Sequence, residues 1–129
     1  MSEYQLMVTR ELIAQHFLTV PNPGEEGDIH SHRFTIEIEF EGTTLNEYGY
    51  IIDIDLVNGA LDEIEQRYTD ALLNELPEFE GLNPSIENFA RILSERMSHA
   101  ISEWTGDSLT VRVWEDEMAW ASHSRSISE

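Results

Sequence analysis

The chain has 129 residues, 40% of them hydrophobic, with no cysteine and a formal net charge of −19 from 26 acidic residues against 7 basic ones, all arginine. That size and apolar content suit one folded domain, 1–129, and the lack of cysteine excludes disulfides, thiolate metal ligands and thiol nucleophiles. The charge argues against nucleic acid or an anionic membrane as partner, and no apolar run approaches the ~20 residues of a membrane span.

Residues 4–20 alternate, with Tyr4, Leu6, Val8, Leu12, Ala14, His16 and Leu18 on one parity, as a strand with one buried face requires. Arg10 interrupts that face, which suggests a bend or bulge. PNPGEEGD at 21–28 is a loop by its Pro and Gly content. Alternation resumes at 30–40: His30, His32, Phe34, Ile36, Ile38 and Phe40 face one way, and Ser31, Arg33, Thr35, Glu37 and Glu39 the other. A short strand is expected from Tyr50 to Ile54. Val57, Leu61, Ile64 and Tyr68 then recur at helical spacing, with Asp55 as a cap, giving a helix near 55–68. Residues 69–83 read as irregular. Pro84 can open a second helix with the stripe Ile86, Phe89, Leu93, Met97, Ile101 and Trp104, and Gly106 ends it. Leu109, Val111, Val113 and Glu115 share one face of the next strand. A last short strand spans Met118 to Ser122, and the tail from Ser122 to Glu129 reads as frayed. Two helices covering one face of an antiparallel sheet make an α+β domain.

Two sequence features carry chemistry. His-x-His on a strand places two imidazoles on one face, ~6.5–7 Å apart along the chain, and His16 ends an apolar face of the neighbouring strand. Three histidines can hold one zinc and leave its fourth position to water or substrate. The pair alone is often incidental, and His16 alone reads equally well as a satisfied core histidine. His99 lies off its helix's apolar stripe and reads as solvated; His123, near the tail, reads as having no role, with a helper role as the alternative. The second feature is the charge itself. At molar salt the Debye length falls to ~3 Å, so a salt-rich cytoplasm would relieve the self-repulsion of so acidic a chain. The start MSEYQLMVTRE has neither the basic nor the apolar part of a secretion signal, which also points to the cytoplasm.

Six segments, in order, resemble the 6-pyruvoyl tetrahydropterin synthase and 6-carboxytetrahydropterin synthase family. LIAQHF carries His16 at the family's first zinc histidine, and HSH, His30 to His32, is similar to its His-Gly-His. YGYIIDIDLV resembles the stretch that leads into the first helix, with Asp53 at its aspartate. DALLN, Asp70 to Asn74, resembles Asp-His-x-x-Leu-Asn, and PSIEN, Pro84 to Asn88, resembles Pro-Thr-x-Glu-Asn. VRVWE ends in Glu115, at the family's pterin-anchoring glutamate. The resemblance implies a tunnelling fold: a four-stranded antiparallel sheet with two helices on one face, closed by several subunits into an oligomeric barrel, often a homohexamer. Active sites would lie between subunits. It also implies zinc on His16, His30 and His32, a pterin substrate such as dihydroneopterin or its triphosphate held by Glu115, and lyase chemistry on the pterin side chain.

The chain departs from the family at its proton-transfer groups. The loop before His-x-His is GEEGDI, without the family's cysteine, and Ala71 stands where the Asp-His pair has histidine, leaving Asp70. A loop carboxylate can take the thiol's place, with Glu26 first and Glu25 and Asp28 beside it; the loop reads equally as a solvated acidic segment. The alternative is a homologue that binds a pterin or a purine-like ligand without the family reaction. Arg33 is the one basic residue near the metal motif, few cations for a triphosphate.

Overall fold

Residues 3–127 are described in the computed structural model. Two 13-residue strands, β1 (Tyr4–His16) and β2 (His30–Gly42), are followed by helix α1 (Ile54–Tyr68), helix α2 (Ile86–Ala100) and two shorter strands, β3 (Ser108–Trp114) and β4 (Trp120–Ser126). All neighbours pair antiparallel in the order β1-β2-β3-β4, with both helices inserted between β2 and β3. Among the described residues no helix is long and apolar enough to cross a membrane.

The alternation of apolar side chains decides which face is covered. Leu12, Ala14, Phe34, Ile36, Ile38, Phe40, Leu109, Val111 and Val113 point to one side and are buried there. Against them pack Val57, Leu61, Ile64 and Tyr68 of α1 and Phe89, Leu93 and Met97 of α2, the stripes that helical spacing singles out. The opposite face, with Thr35, Glu37, Thr110 and Arg112, has no helix or second sheet over it among the described residues.

Several sequence expectations are corrected. Arg10 causes no bulge: β1 pairs with β2 without interruption, and the guanidinium reaches α1, where it meets Asp62, Glu65 and Asn58. An edge strand allows this, because a long side chain can leave the core sideways with its stem still packed. Tyr50 to Ile54 is not a strand. That segment enters α1 directly, and its cap is Asp53, whose carboxylate accepts from the Asp55 backbone N–H, rather than Asp55. The apolar stripe of α2 outruns its helix: α2 stops at Ala100, while Ile101 is buried just past its end and Trp104 donates to the Ile51 carbonyl. The last strand is also not Met118–Ser122. A turn closed by Asp116 Oδ1 on the N–H groups of Met118 and Ala119 precedes it, and β4 pairs with β3 as far as Ser126. The tail is thus ordered through β4, whose alternating serines carry little apolar signal; Ser128 and Glu129 lie outside the described residues.

Candidate metal centre

The β1–β2 register sets His16 directly opposite His30, and Ala14 opposite His32. The small side chain at 14 leaves the His32 ring room beside its partner strand. The three imidazoles gather at the end of the covered face, with ring centroids 4.6, 4.8 and 5.1 Å apart. Phe34 forms their floor, 5.7 Å from both His16 and His32.

Two rings have their tautomer fixed. His16 Nδ1 donates to the Pro84 carbonyl (3.0 Å) and His30 Nδ1 to the Asp28 carbonyl (2.8 Å), since a carbonyl can only accept. The Nε2 atoms of both therefore carry a lone pair, the form a metal needs, oriented by a hydrogen bond on the opposite nitrogen. Burial pushes the His16 imidazolium down to about 4, with His30 and His32 lowering it further against the opposing pull of the Pro84 carbonyl and Glu26. His16 is 1% exposed and neutral at ordinary pH.

The Nε2 atoms of His16, His30 and His32 are all buried without a hydrogen-bond partner. Three such atoms in one place need an explanation, because buried polar groups are nearly always satisfied. One ring nitrogen from each histidine lies within 4.8 Å of the others, against about 3.3 Å between nitrogens of a tetrahedral zinc site with Zn–N near 2.05 Å. Rotamer adjustment covers that difference. The donor set fits a borderline metal ion with one position left open.

Carboxylates adjoin the cluster. Glu115, just past β3, brings Oε1 to 3.2 Å from His32 Nε2, out of line for a hydrogen bond. Glu26, Glu115 and His32 form a second group of ligand atoms within 4.8 Å of one another. Glu26 is carried by a one-turn 3-10 helix (Gly24–Gly27) entered through a left-handed Gly24, φ 67°, where a side chain would be strained. The Glu26 carbonyl accepts from the Leu18 N–H at 2.7 Å, which ties this loop to the exit of β1. Glu25 and Asp28 are exposed and belong to neither group of ligand atoms.

Asp70 is not brought to the cluster. It is exposed, at φ 60°, with its N–H bonded to the Ile13 carbonyl, and it lines a groove with Glu11, Ile13, Arg33, Glu65 and Thr69. Arg33 points to the uncovered face, 3.7 Å from Glu11. His99 is exposed, as its position off the stripe implies. His123 is half-buried in β4, its Nδ1 3.2 Å from Ser94 Oγ. Sequence reasoning missed the supports of the cluster. Asn74 both accepts from the Phe17 N–H and donates to the Phe17 carbonyl, and Asn83 accepts from the Thr19 N–H. The Pro84 carbonyl, which orients His16, could not be found from residue type, since every residue has one.

A meander sheet with two covering helices and three converging imidazoles at one end defines a small α+β protein built around a candidate metal site. The sequence profile of the 6-pyruvoyl tetrahydropterin synthase family matches residues 5–126, and the chain belongs to that family. A protein of Archaeoglobus fulgidus provisionally named a 6-carboxy-5,6,7,8-tetrahydropterin synthase is 31% identical over 104 residues, covering 80% of this chain and 82% of its own. Caenorhabditis elegans 6-pyruvoyl tetrahydropterin synthase superimposes with a TM-score of 0.79 at 14% identity, over 95% of this chain and 96% of that one. A Plasmodium vivax 6-pyruvoyltetrahydropterin synthase, with a catalytic glutamate replaced by cysteine, gives 0.78 at 13% identity, over 96% and 98%. The fold of the single chain, a four-stranded antiparallel sheet with two helices on one face, is that of the tunnelling-fold subunit which the resemblance implies.

Proposed function

We propose that this chain is a zinc-dependent enzyme acting on the side chain of dihydroneopterin or its triphosphate, as a carbon–carbon or carbon–oxygen lyase. The observation that carries the proposal is the set of three buried, partnerless Nε2 atoms flanked by the carboxylates of Glu26 and Glu115. Zinc, when held by His16, His30 and His32, supplies a Lewis acid that lowers the pKa of a substrate hydroxyl.

The protein groups do the rest. Glu115 accepts two parallel hydrogen bonds from the guanidine-like edge of a pterin, a pairing that a carboxylate fits and strengthens by its charge. It lines a groove of about 650 Å³ with Thr35, Glu37 and Trp114, large enough for a bicyclic ring. Glu26, whose carboxylate gathers with His32 and Glu115, takes the proton that the missing cysteine would have taken. The catalytic glutamate of the Plasmodium vivax protein supports a carboxylate in such a role. Asp70 belongs to neither ligand group of its own chain, so its part requires a neighbouring subunit, with active sites between the copies of a homo-oligomeric barrel.

A second reading is favoured by Ala71, which removes the histidine of the Asp-His pair: the chain binds a pterin or purine-like ligand without turnover. Incubating zinc-loaded protein with dihydroneopterin and its triphosphate, followed by chromatography, separates the two. Turnover should fall at least ~100-fold in Glu26→Gln, the range of a lost general base, with zinc content unchanged. No product from either compound, together with tight pterin binding abolished in Glu115→Gln, would replace the first reading by the second.

A further inference from the structure

The segment that enters α2 does more than cap it. Ser85 is the cap, its Oγ accepting from the Asn88 backbone N–H at 3.1 Å. The Asn88 side chain has no part in that bond. Its Nδ2 instead reaches back past Ser85 and donates to the Asn83 carbonyl at 2.8 Å. The same oxygen accepts from the Ser85 N–H at 2.8 Å, which closes a three-residue turn with Pro84 at its centre. A carbonyl has two lone pairs, so both bonds can be made at once. Proline suits the middle of such a turn because its ring holds φ at about −65°.

This turn grips the exit of β1 at two points. Asn83 Oδ1 accepts from the Thr19 N–H at 2.8 Å, and the carbonyl of buried Pro84 accepts from His16 Nδ1 at 3.0 Å. The other fixed ligand differs. His30 is oriented by Asp28, two residues before it, whereas 68 positions separate His16 from Pro84. The His16 tautomer therefore depends on where the fold places one distant carbonyl, and that carbonyl lies outside any helix or strand. Without the Asn88 side chain, the turn that carries it is left with a single closing hydrogen bond.

We propose that Asn88 is a positioning residue of the metal centre. By locking the turn of Asn83, Pro84 and Ser85 it aims the Pro84 carbonyl at His16 Nδ1, which keeps the Nε2 lone pair turned to the ion. The inference rests on the three-histidine zinc reading given above and adds a residue that touches none of the ligands.

The test compares the wild type with two variants. Asn88→Ala keeps the backbone N–H that Ser85 caps and brings in the best helix former. Asp53→Ala removes the cap of α1 and serves as the control for lost stability. In the metal-free proteins, long-range nitrogen–proton NMR shows which imidazole nitrogen of His16 carries the hydrogen. Competition with a chelator gives the zinc dissociation constant. Wild type and Asp53→Ala should carry the hydrogen on Nδ1 alone and bind zinc equally. Asn88→Ala should populate both His16 tautomers and bind zinc roughly 10–100-fold more weakly, the range for loss of an outer partner, while His30 keeps its tautomer. Either readout left unchanged in Asn88→Ala overturns the proposal, and so does an equal loss in Asp53→Ala. A wild type that binds no zinc removes the three-histidine reading instead; the His16 tautomer in Asn88→Ala then decides the role of Asn88 without it.

Discussion

Replacing Glu78 by glutamine should cost this protein about 2 kcal/mol, and the loss should vanish in acid. Glu78 sits in the one-turn 3-10 helix Pro77–Phe79 between the two long helices. Its Oε2 accepts from the Tyr68 hydroxyl, Arg67 Nε and Arg96 Nη2 at 2.7, 2.6 and 2.9 Å, and its Oε1 accepts from Arg67 Nη2 at 2.6 Å. Bonding to Arg67 first, then to Tyr68 and Arg96, holds this carboxyl at about 2, against an ordinary 4.5. The difference corresponds to at most roughly 3.4 kcal/mol at 1.36 kcal/mol per unit. Arg67 and Arg96 are 35% and 40% exposed, so solvent screening reduces this to about 2. The sign is that of a depressed acid: the stabilisation is complete above pH 4.5 and disappears as pH falls through 2. Tyr68 reinforces the loss, because its buried hydroxyl, itself pushed to higher pKa by burial and Glu78, would meet a poorer acceptor. Urea unfolding of wild type and Glu78→Gln should differ by about 2 kcal/mol at pH 7, or a Tm difference of about 6–12 °C for this size. The two should draw together below pH 4.5 and converge only as pH falls to 2 and below. A gap that stays constant across that range would refute the electrostatic account and leave only packing.

Other outcomes follow from the same geometry. Stoichiometric zinc in the purified protein should be lost in His30→Ala and kept in His99→Ala; equal metal in both by elemental analysis would remove the three-histidine site. Metal-free protein should lose stability as pH falls from 6.5 to about 4, by up to roughly 3 kcal/mol. The unfolded chain takes up a proton at His16 there, whereas the folded one does not. In His16→Asn that part of the pH dependence of the urea midpoint should be gone. The net charge of −19 predicts a Tm that climbs by several degrees between dilute buffer and molar KCl; a flat or falling curve would show that self-repulsion is not what limits stability.

The sequence made the sheet legible where one face is buried. The alternation defines β2 because every second residue from Phe34 to Phe40 is large and apolar, with His30 and His32 extending the same parity. β4 has no such signal: Ser122, Ser124 and Ser126 alternate with Ala121, His123 and Arg125, and its order comes from pairing with β3, a tertiary effect. Tyr50 to Ile54 failed for the opposite reason. It leads into a helix with Ile52 buried and Tyr50 and Ile54 exposed, and periodicity cannot tell such a run from a strand. At the site, the histidines and both carboxylates were readable because chemistry is written in residue type. The backbone carbonyls of Pro84 and Asp28 were not, because backbone groups are common to all residues and only the fold selects them.

The facing positions of His16 and His30 make the centre a gauge of strand alignment. Sliding β1 by one residue against β2 would carry His16 to the other side of the sheet along with Leu12 and Ala14. If an ion is held there as proposed, a chain that captures it has already aligned the two longest strands, and the ion would in turn disfavour every misaligned partner. For a protein whose uncharged folding signal is diluted by so many carboxylates, the metal would act as proofreader of the fold before serving any reaction.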